Sequence, residues 1–210
     1  MFQRAVFLAL TVALVAPLSA QTPQGWKVHV DRSQNAQDPD DRRDIMFMTA
    51  GKGFHVSGGP AGVFWHASNA AAGDFTAKGT FTLVKPSNHT NYYGLVFGAT
   101  GLEGPKQSYT YFLVAQDGTF LVKHRDGEDV RDVQAATKNP AVKVPDASGR
   151  SVNALEVRVA GNTISYVVNG TVVHTTPKTG LTAKTDGIVG FRVNHVTEVM
   201  VEGFEIQKRG

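Results

Sequence analysis

The chain has 210 residues, a formal charge of +3, 41% hydrophobic and 19% charged residues, and no cysteine. That composition excludes disordered, collagen-like and coiled-coil chains; the missing cysteine excludes disulfide scaffolds, thiolate zinc modules, iron–sulfur sites and a cysteine nucleophile. Lys and Arg nearly balance Asp and Glu, 21 against 18, which leaves no electrostatic footprint for nucleic acid.

Residues 1–20 read as a secretory leader. A short basic start ending at Arg4 precedes an apolar run from Ala5 to Ala16 broken only by Thr11, and Pro17-Leu18-Ser19-Ala20 closes it with small residues. As a helix the run spans about 18 Å, short of the ~30 Å hydrocarbon core, so no membrane span is expected. Cleavage after Ala20 leaves residues 21–210 as a single exported domain, periplasmic or extracellular. A domain of that size buries about 70% of its unfolded surface and needs no disulfide.

Beyond residue 21 no window carries an uninterrupted helical stripe, whereas period-two runs are frequent. Asp31–Arg43 is charged and reads as a surface loop. Asp74–Val84 alternates Phe75, Ala77, Gly79, Phe81 and Leu83 with Thr76, Lys78, Thr80 and Thr82. Asp117-Gly118 separates two apolar runs, 108–116 and 119–125. Glu128–Arg150, with Pro140 and Pro145, reads as a long connection between sheets. Leu155, Val157 and Val159 then alternate with Glu156 and Arg158, and Ile164, Tyr166 and Val168 follow across Gly161-Asn162. Asn169-Gly170 separates that run from 171–176. Asp-Gly and Asn-Gly both supply the positive φ angles of a two-residue type I′ hairpin. About 12–14 short strands at this spacing predict an all-β fold, a two-sheet antiparallel jelly-roll sandwich. A membrane barrel is excluded because the outward faces are polar.

The C-terminal half carries a recognisable succession: Asn153-Ala-Leu-Glu-Val-Arg-Val159, Ile164-Ser-Tyr-Val-Val-Asn-Gly170, Asp186-Gly-Ile-Val-Gly-Phe-Arg-Val193 and Val199-Met-Val-Glu-Gly-Phe-Glu-Ile206. Tyr92-Tyr93-Gly94-Leu-Val-Phe97 and the run 111–119 fit the middle strands of the same pattern. The chain resembles the concanavalin A-like lectin/glucanase superfamily over about residues 53–207, and is similar to the bacterial secreted domains called 3-keto-disaccharide hydrolase-like and to laminin-G-like modules. The resemblance implies a jelly roll and carbohydrate-related work. Fold alone does not specify function.

Retaining glucanases of that superfamily use a Glu-x-Asp-x-x-Glu strand, whose carboxylates about 5–5.5 Å apart act as nucleophile and acid. The motif is absent, and no catalytic residue is assigned. The acidic clusters Asp38/Asp40/Asp41/Asp44 and Asp126/Glu128/Asp129/Asp132 are interleaved with basic residues and read as solvated loop charge. Calcium needs about six to eight oxygen ligands, of which either cluster offers two or three without EF-hand spacing. No cofactor is therefore assigned, with calcium at one of these clusters kept as the alternative. The seven histidines show no metal-ligand spacing, and no nucleophile elbow, phosphate loop or dinucleotide fingerprint occurs.

A binding face is legible in the alternation. With Phe112, Val114, Phe120, Val122, Phe191 and Val193 inward, Tyr109, Tyr111, Lys123, Arg125, Arg192 and Asn194 point outward. Tyr92 points outward beside Gly94 and Gly98; the facing of Trp65 and His66 is left open. Aromatic rings stack on sugar C–H faces while planar polar groups bind hydroxyls. Trp65, His66, Tyr92, Tyr109, Tyr111, Lys123, Arg192 and Asn194 are therefore the candidate ligand-binding set, and a saccharide or glycoconjugate the expected partner. The same tyrosines would also serve as cross-strand pairs. Two other functions fit: an enzyme of keto-glycosides using His66 or His124 as base, since a keto group acidifies the neighbouring proton, and a structural envelope domain.

Overall fold

A computed structural model describes residues 22–33, 35 and 37–208. The leader at 1–20 lies outside the described residues. The rest forms two seven-stranded antiparallel sheets. The first contains, in spatial order, β1 (Trp26–Asp31), β4 (Ala61–Ala71), β13 (Gly187–Val193), β6 (Tyr92–Thr100), β7 (Ser108–Ala115), β8 (Thr119–Asp126) and β9 (Asp129–Lys138). The second contains β12 (Thr171–Pro177), β11 (Thr163–Val168), β10 (Ser151–Ala160), β5 (Phe75–Lys85), β14 (Glu198–Lys208), β3 (Gly53–Ser57) and β2 (Met46–Ala50). The fourteen strands fall within the expected count, and among the described residues the only helical turns are Pro39–Asp41 and Gly180–Thr182. No helix of the described residues is long and apolar enough to cross a membrane.

The alternation read along the strands sorts side chains into the sandwich. In β10, Leu155, Val157 and Val159 are buried while Ala154 and Ala160 are exposed. Its partners in β5 and β11 bring Phe75, Ala77, Phe81, Ile164 and Tyr166 to the same core. Phe191 of β13 sits at the crowded end, its ring centroid 5.1 Å from Phe64, 5.5 Å from Trp26 and 5.7 Å from Phe204. These rings join both sheets.

Two details depart from the expectations. The 128–150 stretch contains a regular strand, β9, whose residues are nearly all exposed or half-buried. An edge strand with so little burial needs no hydrophobic alternation, so its sequence looks like a connection. The two Gly turns also differ. Asn169 and Gly170 both have positive φ, 49° and 83°, as a type I′ hairpin requires. At the other turn only Gly118 does, at 84°. There Gln116–Gly118 forms a three-residue loop, with Asp117 Oδ1 accepting from the Thr119 amide at 3.1 Å.

The aromatic cluster makes a stability prediction. Phe191→Ala should cost about 3–5 kcal/mol, the range for truncating a fully buried Phe, read as a lower denaturant midpoint with an unchanged slope.

Candidate functional site

The outer face of the first sheet carries a second apolar cluster separate from the main core. It comprises Val63, Trp65, Val96, Ala99, Leu102, Tyr109, Tyr111, Leu113 and Leu121. Strand register explains the grouping. One cross-strand row runs Lys27, Trp65, Gly190, Val96, Tyr111, Lys123 and Asp132 across all seven strands. The next runs His29, Val63, Arg192, Gly94, Leu113 and Leu121. Gly190 makes room for the indole beside it: a Cβ there would stand 3.2 Å from Trp65 Cβ and 2.4 Å from the Phe64 carbonyl oxygen.

This face is concave. Asp31 on β1 and Arg125 on β8 are five strand spacings apart, about 24 Å on a flat sheet. Yet Arg125 Nη1 donates to Asp31 Oδ2 at 3.3 Å. The sheet must therefore roll toward its outer face. Arg192 also donates from Nη1 to Asp31 Oδ2, and from the same nitrogen to the Tyr109 hydroxyl at 2.9 Å. Its Nε donates to Asn194 Oδ1 at 2.8 Å, and its guanidinium lies 5.5 Å from the Tyr111 ring centroid. Gln107 Nε2 donates to Asp31 Oδ1 at 3.3 Å. One carboxylate thus ties together β1, β13, β8 and the base of the β6–β7 connection.

That connection, 101–107, straps across the concave face. Gly101, at φ +63°, permits its narrow neck, since a Cβ there would lie 2.6 Å from the Lys106 carbonyl oxygen. Leu102 is buried in the outer-face cluster, the Leu102 carbonyl receives His29 Nδ1 at 2.9 Å, and Glu103 pairs with Lys27. Two clefts flank the strap. One of about 630 Å³ is lined by Trp65, Ala99, Thr100, Leu102, Pro105 and Ile188, with other strap residues. The other, about 560 Å³, is lined by Thr22, Trp26, Lys27, Val28, Trp65, Leu102 and Glu103. Trp65 and the strap tip border both.

The candidate residues divide accordingly. Trp65, Tyr109, Tyr111, Lys123 and Arg192 share the concave face, Tyr92 lies on it beside Ala115, and Asn194 adjoins it through Arg192. Their expected exposure is corrected: Tyr109 is 0%, Trp65 6%, Tyr111 7% and Arg192 7% exposed. The strap and the curvature, neither visible in local alternation, cover them. Tyr92 and Lys123 are half-buried and already engaged, Tyr92 with the Thr119 hydroxyl at 3.0 Å and Lys123 with Asp132 at 3.2 Å. His66 faces the opposite side of β4 from Trp65, its ring centroid 6.1 Å from Trp26 and its Nδ1 2.6 Å from Ser68 Oγ. His124 lies elsewhere again, in a cleft of about 220 Å³ with Ser108, Asp126, Asp129, Arg131 and Lys184. Asp31, His29, Lys27 and Gln107 were missed. The alternation of Lys27, His29 and Asp31 with Trp26, Val28 and Val30 is the signal that would have found the first three; Gln107 lies in the β6–β7 connection, outside any alternation.

The second acidic cluster lies on the β8–β9 hairpin rather than in a loop, with Asp126 in β8 and Asp129 and Asp132 in β9, and neither cluster shows a converging ligand set among the described residues. Asp38 accepts from the Asp40 amide, Asp40 faces His89, Asp41 faces His195 and Asp44 faces Arg32. Among the described residues no three His, Cys, Asp or Glu side chains group as metal ligands. The outer face of the second sheet has a depression of about 340 Å³ around Lys78, Gly79, Glu156 and Glu205, but no aromatic floor.

No protein-family description and no curated sequence matches this chain. Solved structures do. The carbohydrate binding module CBM66 from Bacillus subtilis superposes with TM-score 0.62 at 12% identity, covering 87% of this chain and 95% of that one. The likeness is one of fold, a two-sheet antiparallel jelly roll. A Bacillus subtilis protein of unknown function with a galectin-like fold matches at 0.59 and 12% identity, over 87% of this chain and 88% of that one. Alginate lyase A1-II′ matches at 0.52 and 12% identity, over 87% and 94%.

The electrostatics of Asp31 yield a pH prediction. Burial pushes its carboxyl up, but the charge and hydrogen bond of Arg192, then Arg125 and Gln107, outweigh burial and hold it below its ordinary 3.8. A carboxyl lowered on folding stabilises the fold above its unfolded value, and that contribution is lost as pH falls through the folded value. Asp31→Asn should cost about 3–5 kcal/mol at neutral pH, as for breaking a buried pair. It should also flatten the fall of the urea midpoint below about pH 4.

Proposed function

We propose that the chain is an exported saccharide-binding jelly-roll module, with its ligand in the concave face of the first sheet around Trp65. The observation that carries this reading is the buried indole between two clefts, set in a rolled sheet with Arg, Tyr and Lys side chains around it. An apolar ring floor with a few convergent polar groups is the usual chemistry of small-ligand sites, and an indole suits the C–H face of a pyranose or furanose. The names of the similar structures, a carbohydrate binding module and an alginate lyase, support the same ligand class. The leader at 1–20 supports export, and 21–210 is taken as one domain.

A second reading, a base-catalysed reaction at a keto-glycoside, is favoured by one observation. Burial lowers the His124 imidazole below its ordinary 6.5, which keeps it in the basic form at neutral pH, and it borders a cleft with Asp129 and Lys184. Release of aglycone from keto-glycosides, abolished by His124→Ala, is the outcome this reading requires.

Calorimetry of the protein against fructo-, gluco-, galacto- and uronate oligosaccharides tests the first reading. At least one class should bind. Trp65→Ala should weaken it about tenfold or more, ~1.4 kcal/mol, with Trp65→Phe retaining part of the affinity and Lys78→Ala on the opposite sheet silent. Absence of binding across the panel, or full affinity in Trp65→Ala, would remove the reading.

A further inference from the structure

The side chains lining the two clefts beside the strap offer more hydrogen-bond donors than acceptors. Trp65 borders both clefts, and its Nε1, a donor only, is buried without a partner in a residue 6% exposed. Lys106 lines the larger cleft and has no carboxylate partner among the described residues. Glu103 is the sole acidic side chain lining either cleft among the described residues, and Lys27 already engages it. The hydroxyls of Thr22 and Thr100 serve either role.

Charge along the face has the same bias. Lys123 cancels with Asp132, and Lys27 with Glu103. Asp31 instead receives two guanidiniums, Arg192 and Arg125, so with His29 neutral that node keeps one net positive charge. It stands close to the clefts. His29 bridges it to the strap, with Nδ1 2.9 Å from the Leu102 carbonyl oxygen and Nε2 3.3 Å from Asp31 Oδ1. The Arg192 guanidinium lies 5.5 Å from the ring centroid of Tyr111, which shares the cross-strand row of Trp65. Charge held in a buried setting is screened by salt far less than charge in open water. The depression on the opposite sheet has the reverse balance, Glu156 and Glu205 against Lys78. A neutral sugar brings hydroxyls, which donate as well as accept, and leaves the excess on the concave face uncompensated. A carboxylate or sulfate on the ring brings acceptors alone, with a negative charge that strengthens each bond they receive.

We infer that the Trp65 clefts select acidic saccharides, rings that carry a carboxylate or a sulfate. The inference rests on the saccharide reading and names its ligand class. Trp65 supplies the apolar floor, Lys106 the ion pair, and the Asp31 node a positive background. Glu103 works against the selection, because its carboxylate repels an anion and occupies Lys27, whose Nζ stands 5.2 Å from the Trp65 ring centroid. Lys106 and Glu103 are both exposed, so substitutions there leave the fold intact.

Calorimetry with matched pairs tests this. Galacturonate, mannuronate and glucuronate oligomers are each compared with their neutral methyl esters, and a sulfated galacto-oligosaccharide with its unsulfated form. At least one acidic member should bind about tenfold or more tighter than its neutral counterpart; whether the uronate or the sulfate pairs show the difference identifies the anion. Its affinity should fall about threefold or more between about 50 mM and about 500 mM sodium chloride. Lys106→Gln should weaken it about threefold, and Glu103→Gln should tighten it about twofold or more, the scale of exposed ion pairs. Polyglutamate, an anion without sugar rings, should not bind. Neutral members bound as tightly as acidic ones, acidic affinity unchanged in both variants, or equal affinity for polyglutamate would overturn the selection. Neutral binding that is lost in Trp65→Ala keeps the saccharide reading and removes only its acidic class. Absence of binding by every saccharide removes both.

Discussion

The carboxylate of Asp31 is the point on which the first sheet closes. It belongs to an edge strand, yet its two oxygens receive Arg192 from β13, Arg125 from β8 and Gln107 from the β6–β7 connection. Taking one carboxylate and two guanidiniums out of water is costly, and mutual attraction offsets that cost only with close geometry and further hydrogen bonds. Those bonds are present: Arg192 also reaches Tyr109 and Asn194, and Arg125 Nε donates to the Gly127 carbonyl at 2.8 Å. The arrangement is specific as well as stabilising, because no other curvature brings these strands within reach.

Curvature then decides what the outer face can hold. A flat antiparallel sheet would expose Trp65, Tyr109 and Tyr111 to solvent. Rolled around Asp31, the same residues become a second apolar cluster, into which the 101–107 strap inserts Leu102. Burial pushes the Tyr109 phenol up to about 12, so it stays a neutral hydrogen-bonding partner for Arg192 throughout the physiological range. The face is neither a second core nor an open groove. It is an apolar floor with a charged frame and a strap held by the edge strand, and that combination suits a ligand with hydroxyls on an apolar ring.

Much of this was legible in the sequence because a strand's facing repeats every two residues. The inward set of β5, β10 and β11 follows directly from alternation, as does the outward placement of Tyr111, Lys123 and Arg192. The type I′ turn at Asn169-Gly170 follows from residue chemistry. Features set by long-range contact were not legible. β9 lacks alternation because it is an exposed edge, and the burial of Tyr109 depends on sheet curvature and on a strap, 101–107, that strand periodicity does not mark. His66 and Trp65 are neighbours in sequence and so lie on opposite faces of β4, a separation that the open facing of their strand concealed. Asp31 reads as the start of a charged loop, although the pattern from Trp26 onward marks it as the end of a strand.

The concave face as ligand site is tested most directly by nitrogen-15 NMR spectra of the protein titrated with the oligosaccharide panel. The account predicts that the Trp65 indole resonance and the amides of 101–107, β13 and β6 shift together and saturably, while amides of the opposite sheet's outer face around Lys78 and Glu205 stay still. Saturable shifts confined to that opposite face or to the His124 cleft, with the Trp65 indole unmoved, would contradict it.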